Sequence, residues 1–142
     1  MTEMSGARYL CEIMKAYGVS TYFFMPSMLS HTLALMDDYP IRRIMTHGEK
    51  AAVYMADGYA RASGKPGICG AQAIGASNLA AGLRDAHMAH SPVISLVGGR
   101  FSEQKYRFPY QEIDDFSMFE CTTKANYQID TADRIPDMMR QA

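Results

Sequence analysis

The chain has 142 residues, 48% of them hydrophobic and 20% charged, enough for one domain with a real core. Fourteen Lys and Arg against fifteen Asp and Glu leave a net charge of −1, so no basic field exists to gather nucleic acid or anionic lipid. Three cysteines with no Cys-x-x-Cys pair exclude a disulfide framework and a thiolate zinc site.

The first residues carry neither the basic region nor the apolar run of a signal peptide, and the expectation is a cytoplasmic protein. The longest uncharged stretch, residues 66–83, holds four glycines together with Gln72, Ser77 and Asn78. It reads as a buried strand, a turn and a helix start, not as a membrane span. The twelve methionines are read as mostly core filler.

Apolar residues at Ala7, Leu10, Cys11, Met14 and Tyr17 have helical spacing over residues 5–17, and Gly18 supplies the stop. Residues 21–24 are β-branched and aromatic and end at Pro26, which predicts a strand. A helix over 28–38, a strand over 41–45 and a long helix over 49–63 follow, the last closed by Gly64. Next come a strand over 68–71, a helix over 75–89 and a strand over 93–97. Beyond a polar, aromatic loop at 100–111, a short helix near 114–119 and a strand over 122–127 are expected. Thr131 or Asp133 is expected to cap a last helix. Strands alternating with helical segments specify βαβ units, hence an α/β fold: an open, doubly wound, mainly parallel sheet with helices on both faces.

In such sheets ligands gather outside the carboxyl ends of the strands. Three turns occupy those ends: residues 25–27, 46–49 and 73–78. The run from Gly70 to Ser77 has P-loop spacing, but Ala76 stands where the lysine should be, and no G-x-G-x-x-G occurs. A tight turn is the simpler reading, with Gly75 allowing close approach and Ser77 or Asn78 capping the helix. Glu49, at a strand-to-helix junction, is the best single candidate for a working carboxylate. On spacing alone it is also explained as an acid complementing a helix dipole. His47 beside it is weak evidence for an acid–base pair. His87 and His90 are too few for zinc and read as a helix-end pair. Cys69 reads as core, and Asp57 with Arg61 as a surface i,i+4 pair. Ala51, Ala52, Ala56, Gly58, Ala60 and Ala62 make the long helix small-sided, suited to close packing inside the domain or between subunits, with Met55 and Tyr59 as larger anchors.

The run from Glu49 through Ala51-Ala52, Ala56-Asp57-Gly58-Tyr59-Ala60-Arg61 and Gly64-Lys65-Pro66-Gly67 resembles the thiamine-diphosphate enzymes related to acetolactate synthase. The resemblance continues through Asn78-Leu79-Ala80-Ala81-Gly82-Leu83, Asp85-Ala86, Pro92-Val93-Ile94, Gly98, Gln111-Glu112-Ile113-Asp114 and Thr123-Lys124, covering nearly the whole chain. It implies that residues 1–142 form a pyrimidine-binding domain. Glu49 then matches the glutamate that hydrogen-bonds the cofactor's aminopyrimidine and activates it for ylide formation. Pro26, Gly75 and Asn78 match residues beside the cofactor, and Gln111 a residue on the substrate side. The implied activity is 2-oxo acid decarboxylation or carboligation; the alternative is a non-catalytic, dimerising interaction module of the same fold.

The family's G-x-P-G stands here as Phe24-Met25-Pro26-Ser27 and its S-G-P-G as Gln72-Ala73-Ile74-Gly75. The histidine usual before the glutamate is replaced by Gly48, with His47 one place earlier. No G-D-G…N segment for the diphosphate occurs. The resemblance therefore implies that thiamine diphosphate is held here by its pyrimidine end only. No metal ligand is expected in this chain, and Mg²⁺ would enter through a diphosphate-binding domain supplied in cis or in trans. A homodimer through the helix Glu49–Ser63, and inactivity of the chain alone, complete the expectations.

Overall fold

The computed structural model describes residues 3–26, 29–99, 102–104, 106–111 and 116–142. Four strands form one parallel sheet: β1 (Thr21–Phe24), β2 (Arg42–Met45), β3 (Gly67–Gln72) and β4 (Val93–Gly98), in the spatial order β2-β1-β3-β4. The register sets Phe24 beside Met45 on one flank and beside Gly70 on the other, while Gly70 faces Leu96. The chain winds outward from β1 to β2 and then returns across the sheet to β3. The crevice between the carboxyl ends of β1 and β3 is therefore the topological switch point, where a parallel sheet leaves room for a ligand.

Period-two alternation divides the core. Tyr22 and Ile68 point to one face, where α1 (Gly6–Ala16) contributes Leu10, Cys11, Ile13 and Met14. Phe23, Cys69 and Ala71 point to the other, packed on α3 (Glu49–Ser63) and α4 (Ala76–Met88). Helices thus cover both faces, as the βαβ pattern requires. Burial pushes the Cys69 thiol up to about 12, which makes it an inert core group.

The long helix occupies the predicted residues, and Gly64 at φ 68° ends it by donating its N–H to the Ala60 carbonyl. Elsewhere local chemistry overrides the simple pattern. The helix expected over 28–38 is α2 (Ser30–Leu35) followed by a 3₁₀ turn, Met36–Asp38; residues 27 and 28 lie outside the described residues. The strand expected over 122–127 does not form. Thr122 and Thr123 send both their hydroxyls and their N–H groups back to the Phe119 carbonyl, closing a turn at the end of the 3₁₀ segment Phe116–Phe119. The last helix, α5 (Ile135–Gln141), is entered through a 3₁₀ turn, Ala132–Arg134, and no side chain caps it. Among the described residues the methionines divide between core and surface: Met14 and Met36 are buried and Met118 and Met139 pack against the core, but Met4, Met45, Met55 and Met88 are exposed. They sit on an edge strand, on outer helix faces and in the leading segment, where there is no core to fill.

Asp57 and Arg61 also depart from the surface pair expected. Asp57 is buried at 7% exposure and receives Arg61 Nε at 2.9 Å, with a second guanidinium nitrogen 2.9 Å from its other oxygen. The guanidinium holds the Asp57 carboxyl below its ordinary value, against the opposing pull of burial. A lowered folded-state value contributes stability above the ordinary carboxylate range of about 4, lost as the pH falls through the folded-state value. Asp57→Asn is thus expected to cost no more than about 1 kcal/mol near neutral pH, because Arg61 is half exposed. In thermal unfolding, the gap between variant and wild type should close as the pH falls below about 4.

Candidate functional site

The site is assembled at the switch point by three turns. After β1 the chain stays beside β3 for one further residue, Met25 N–H bonding to the Gly70 carbonyl at 3.1 Å, and Pro26 then stands exposed at the mouth of the crevice. After β2, Thr46 is buried. Its N–H bonds to the Phe24 carbonyl at 2.9 Å, and its hydroxyl lies 2.8 Å from the Gly48 carbonyl and 3.3 Å from that of Phe24. One hydroxyl proton serves the nearer acceptor, so Thr46 fastens the turn that delivers Glu49 to the first position of α3. After β3, the 3₁₀ turn Ala73–Gly75 leads into α4 and places Gly75 and Asn78 opposite Glu49.

Two contacts define the arrangement. Asn78 Nδ2 donates to Glu49 Oε2 at 3.1 Å, joining side chains 29 residues apart in sequence. Gly75 lies under the same carboxylate: a Cβ there would fall 2.6 Å from Glu49 Oε1, 2.7 Å from Cγ and 2.9 Å from Cδ. Any side chain at position 75 would have to displace the glutamate. Glu49 is half-buried.

Of the residues singled out in the sequence, Glu49, Gly75 and Asn78 therefore meet, and Pro26 ends the neighbouring strand. Gln111 lies in the aromatic loop at φ 66°, its Oε1 buried and without a hydrogen-bond partner among the described residues. No described hydrogen bond links it to Glu49 or Asn78. Its neighbours 112–115 lie outside the described residues. Neither Ser77 nor Asn78 caps α4, because Ser77 Oγ turns back to the Ile74 carbonyl and Asn78 is engaged by Glu49. His47 is exposed, and His87 and His90 close the end of α4 through a backbone bond, His90 N–H to the His87 carbonyl. Thr46 went unnoticed in the sequence; the clue is a threonine two residues before a glycine, the spacing of a hydroxyl-closed turn.

A half-buried carboxylate with one oxygen tied down, set over a floor without Cβ at the switch point, leaves its other oxygen to accept a hydrogen bond from a ligand seated there. Among the described residues no three His, Cys, Asp or Glu side chains come together as a metal site.

Residues 4–118 match the family described as thiamine pyrophosphate enzyme, N-terminal TPP binding domain. The chain belongs to this family. It is 38% identical over 142 residues to a protein named probable acetolactate synthase large subunit from Methanocaldococcus jannaschii, covering 98% of this chain and 24% of the relative. It is 30% identical over 141 residues to the acetolactate synthase isozyme 2 large subunit of Escherichia coli, covering 98% of this chain and 26% of that protein. An X-ray structure of a protein from Mycobacterium smegmatis, named "putative thiamin diphosphate-dependent enzyme", superposes with a TM-score of 0.87 at 25% identity. That match takes in 99% of this chain and 27% of the other. The chain thus spans about a quarter of the length of the curated relatives it matches. Among the described residues no helix is long and apolar enough to cross a membrane.

Proposed function

We propose that residues 1–142 are the pyrimidine-binding half of an acetolactate synthase-like, thiamine-diphosphate-dependent 2-oxo acid decarboxylase or carboligase, with Glu49 as its working carboxylate. The observation that carries this reading is the placing of Glu49 over Gly75 at the switch point, with Oε2 held by Asn78. The carboxylate needs to share a proton with a ring nitrogen of the cofactor's aminopyrimidine. A glutamate fixed at one oxygen leaves the other to do so. Gly75 lets the ring approach, Pro26 lines the crevice at the end of β1, and Gln111 stands on the substrate side. When bound, thiamine diphosphate supplies the electron sink for cleavage beside a 2-oxo group.

The diphosphate and its Mg²⁺ are held by a second domain, in cis or in trans, so this chain alone is inactive. Residues of α3 form the subunit contact, but with one anchor other than expected: Tyr59 packs against the core beside Phe23, whereas Met55 and Tyr54 are exposed at 47% and 44%, and among the described residues nothing from other elements lies within 4 Å of a Cβ built on Gly58, leaving room for a facing helix.

Calorimetric titration with thiamine diphosphate and Mg²⁺ tests this, with and without the diphosphate-binding domain of an acetolactate synthase. Strong binding and turnover of pyruvate or a similar 2-oxo acid are expected only in the mixture. No heat in either case overturns the proposal in favour of a non-catalytic dimerising module.

A further inference from the structure

We infer that Asn78 is a positioning residue acting through Glu49, not a cofactor contact in its own right. This deepens the proposed function and rests on it, because it gives the carboxylate a fixed orientation for the ring. The geometry is asymmetric. Oε2 accepts the Asn78 amide at 3.1 Å, while Oε1 lies toward Gly75 and accepts no hydrogen bond from the described residues. A glutamate at the first position of a helix has several rotatable bonds and, left alone, samples several rotamers. Here two constraints select one: the missing Cβ at Gly75 opens the volume that Cγ and Cδ occupy, and the Asn78 amide fixes the twist of the carboxylate. A hydrogen bond to an ionised oxygen is strong enough to hold that choice.

The position of Asn78 sharpens the argument. It is the third residue of α4, past the N-cap position that Gly75 holds, and its side chain makes no bond to the helix backbone. The amide is spent on another element, α3. Aspartate at this site would suit the helix N-terminus better than asparagine does. It would be wrong for Glu49, since an acceptor replaces the donor and two carboxylates face each other. Helix stability and site geometry therefore favour opposite residues at position 78.

Two measurements test the inference. In the ¹⁵N-labelled chain, Glu49→Gln should shift the Asn78 side-chain amide resonances, while those of Asn126, the one other asparagine, stay in place. In the enzyme assembled with a diphosphate-binding domain, Asn78→Ala should lower kcat about 10- to 10²-fold with little change in KM for the 2-oxo acid. Asn78→Asp should lower it further with little change in melting temperature, because the gain at the helix N-terminus is offset by the repulsion between the two carboxylates. In a Glu49→Gln background, Asn78→Ala should add little. An Asn78 amide indifferent to Glu49→Gln overturns the inference. So do losses that multiply in the double variant, which would make Asn78 an independent cofactor contact. If instead Glu49→Gln shifts the Asn78 amide but leaves turnover intact, the contact stands and the role proposed for Glu49 falls.

Discussion

In the enzyme assembled with a diphosphate-binding domain, Glu49→Ala is expected to lower turnover of a 2-oxo acid by about 10²–10⁴-fold, the range for losing a positioned acid–base group. The expected stability change is small. An acid in the first helical turn contributes about 0.3–1 kcal/mol through the helix dipole, and among the described residues Glu49 has one side-chain bond, to Asn78. The two explanations of Glu49 left open by its spacing thus separate in one pair of measurements. A dipole-complementing glutamate predicts a slightly lower melting temperature and unchanged turnover. A working carboxylate predicts the reverse weighting: a large kinetic loss on a nearly unchanged melting curve. Glu49→Gln refines the test, since it keeps the shape and removes the proton-sharing oxygen. It should fall close to Glu49→Ala in turnover and closer to wild type in stability. Full activity in either variant would remove Glu49 from the mechanism.

The parts of the fold set by side-chain periodicity were legible in advance. The strand Thr21–Phe24 and the helix Glu49–Ser63 have patterns with one physical solution each, and both formed where the residues say. What escaped was decided by partners remote in sequence or by polar side chains competing for the backbone. Thr122 and Thr123 look like strand residues because they are β-branched, but a hydroxyl one turn beyond a free carbonyl closes a turn instead. Asp57 looked like a surface acid because its partner is four residues away on the same helix. Its burial comes from the packing around α3, which an i,i+4 spacing does not reveal. The same limit applied to the site. Glu49, Gly75 and Asn78 were each visible as residues at strand ends. That Gly75 makes room for one particular side chain, and that Asn78 abandons its helix to bind that side chain, are tertiary facts. No residue-type preference encodes them.

Glycine substitutions separate the two ways in which this small-sided chain uses absent side chains. Gly67→Ala is expected to destabilise the domain by about 3 kcal/mol or more, the upper range for an overpacked contact. A Cβ at Gly67 would lie 2.1 Å from the Ala56 carbonyl oxygen and 2.7 Å from its carbon, and both are helix backbone atoms that cannot rotate away. The strain can be relieved only by lifting α3 from β3, which breaks the layer formed by Ala52, Val53, Ala56, Cys69 and Ala71. For a domain of this size the loss corresponds to a fall in melting temperature of about 10 °C. The three atoms nearest a Cβ at Gly75 all belong to the flexible Glu49 side chain, which can swing aside, so the Gly75→Ala melting curve should stay within a few degrees of wild type. Its cost should appear in turnover, because the displaced carboxylate no longer stands where a ring could meet it. Scanning calorimetry on both variants, with turnover of the Gly75 variant, checks the contrast. A Gly67→Ala protein melting within about 2 °C of wild type would mean that α3 and β3 do not approach as closely as described. A Gly75→Ala protein with full turnover would mean that the floor beneath Glu49 need not be bare.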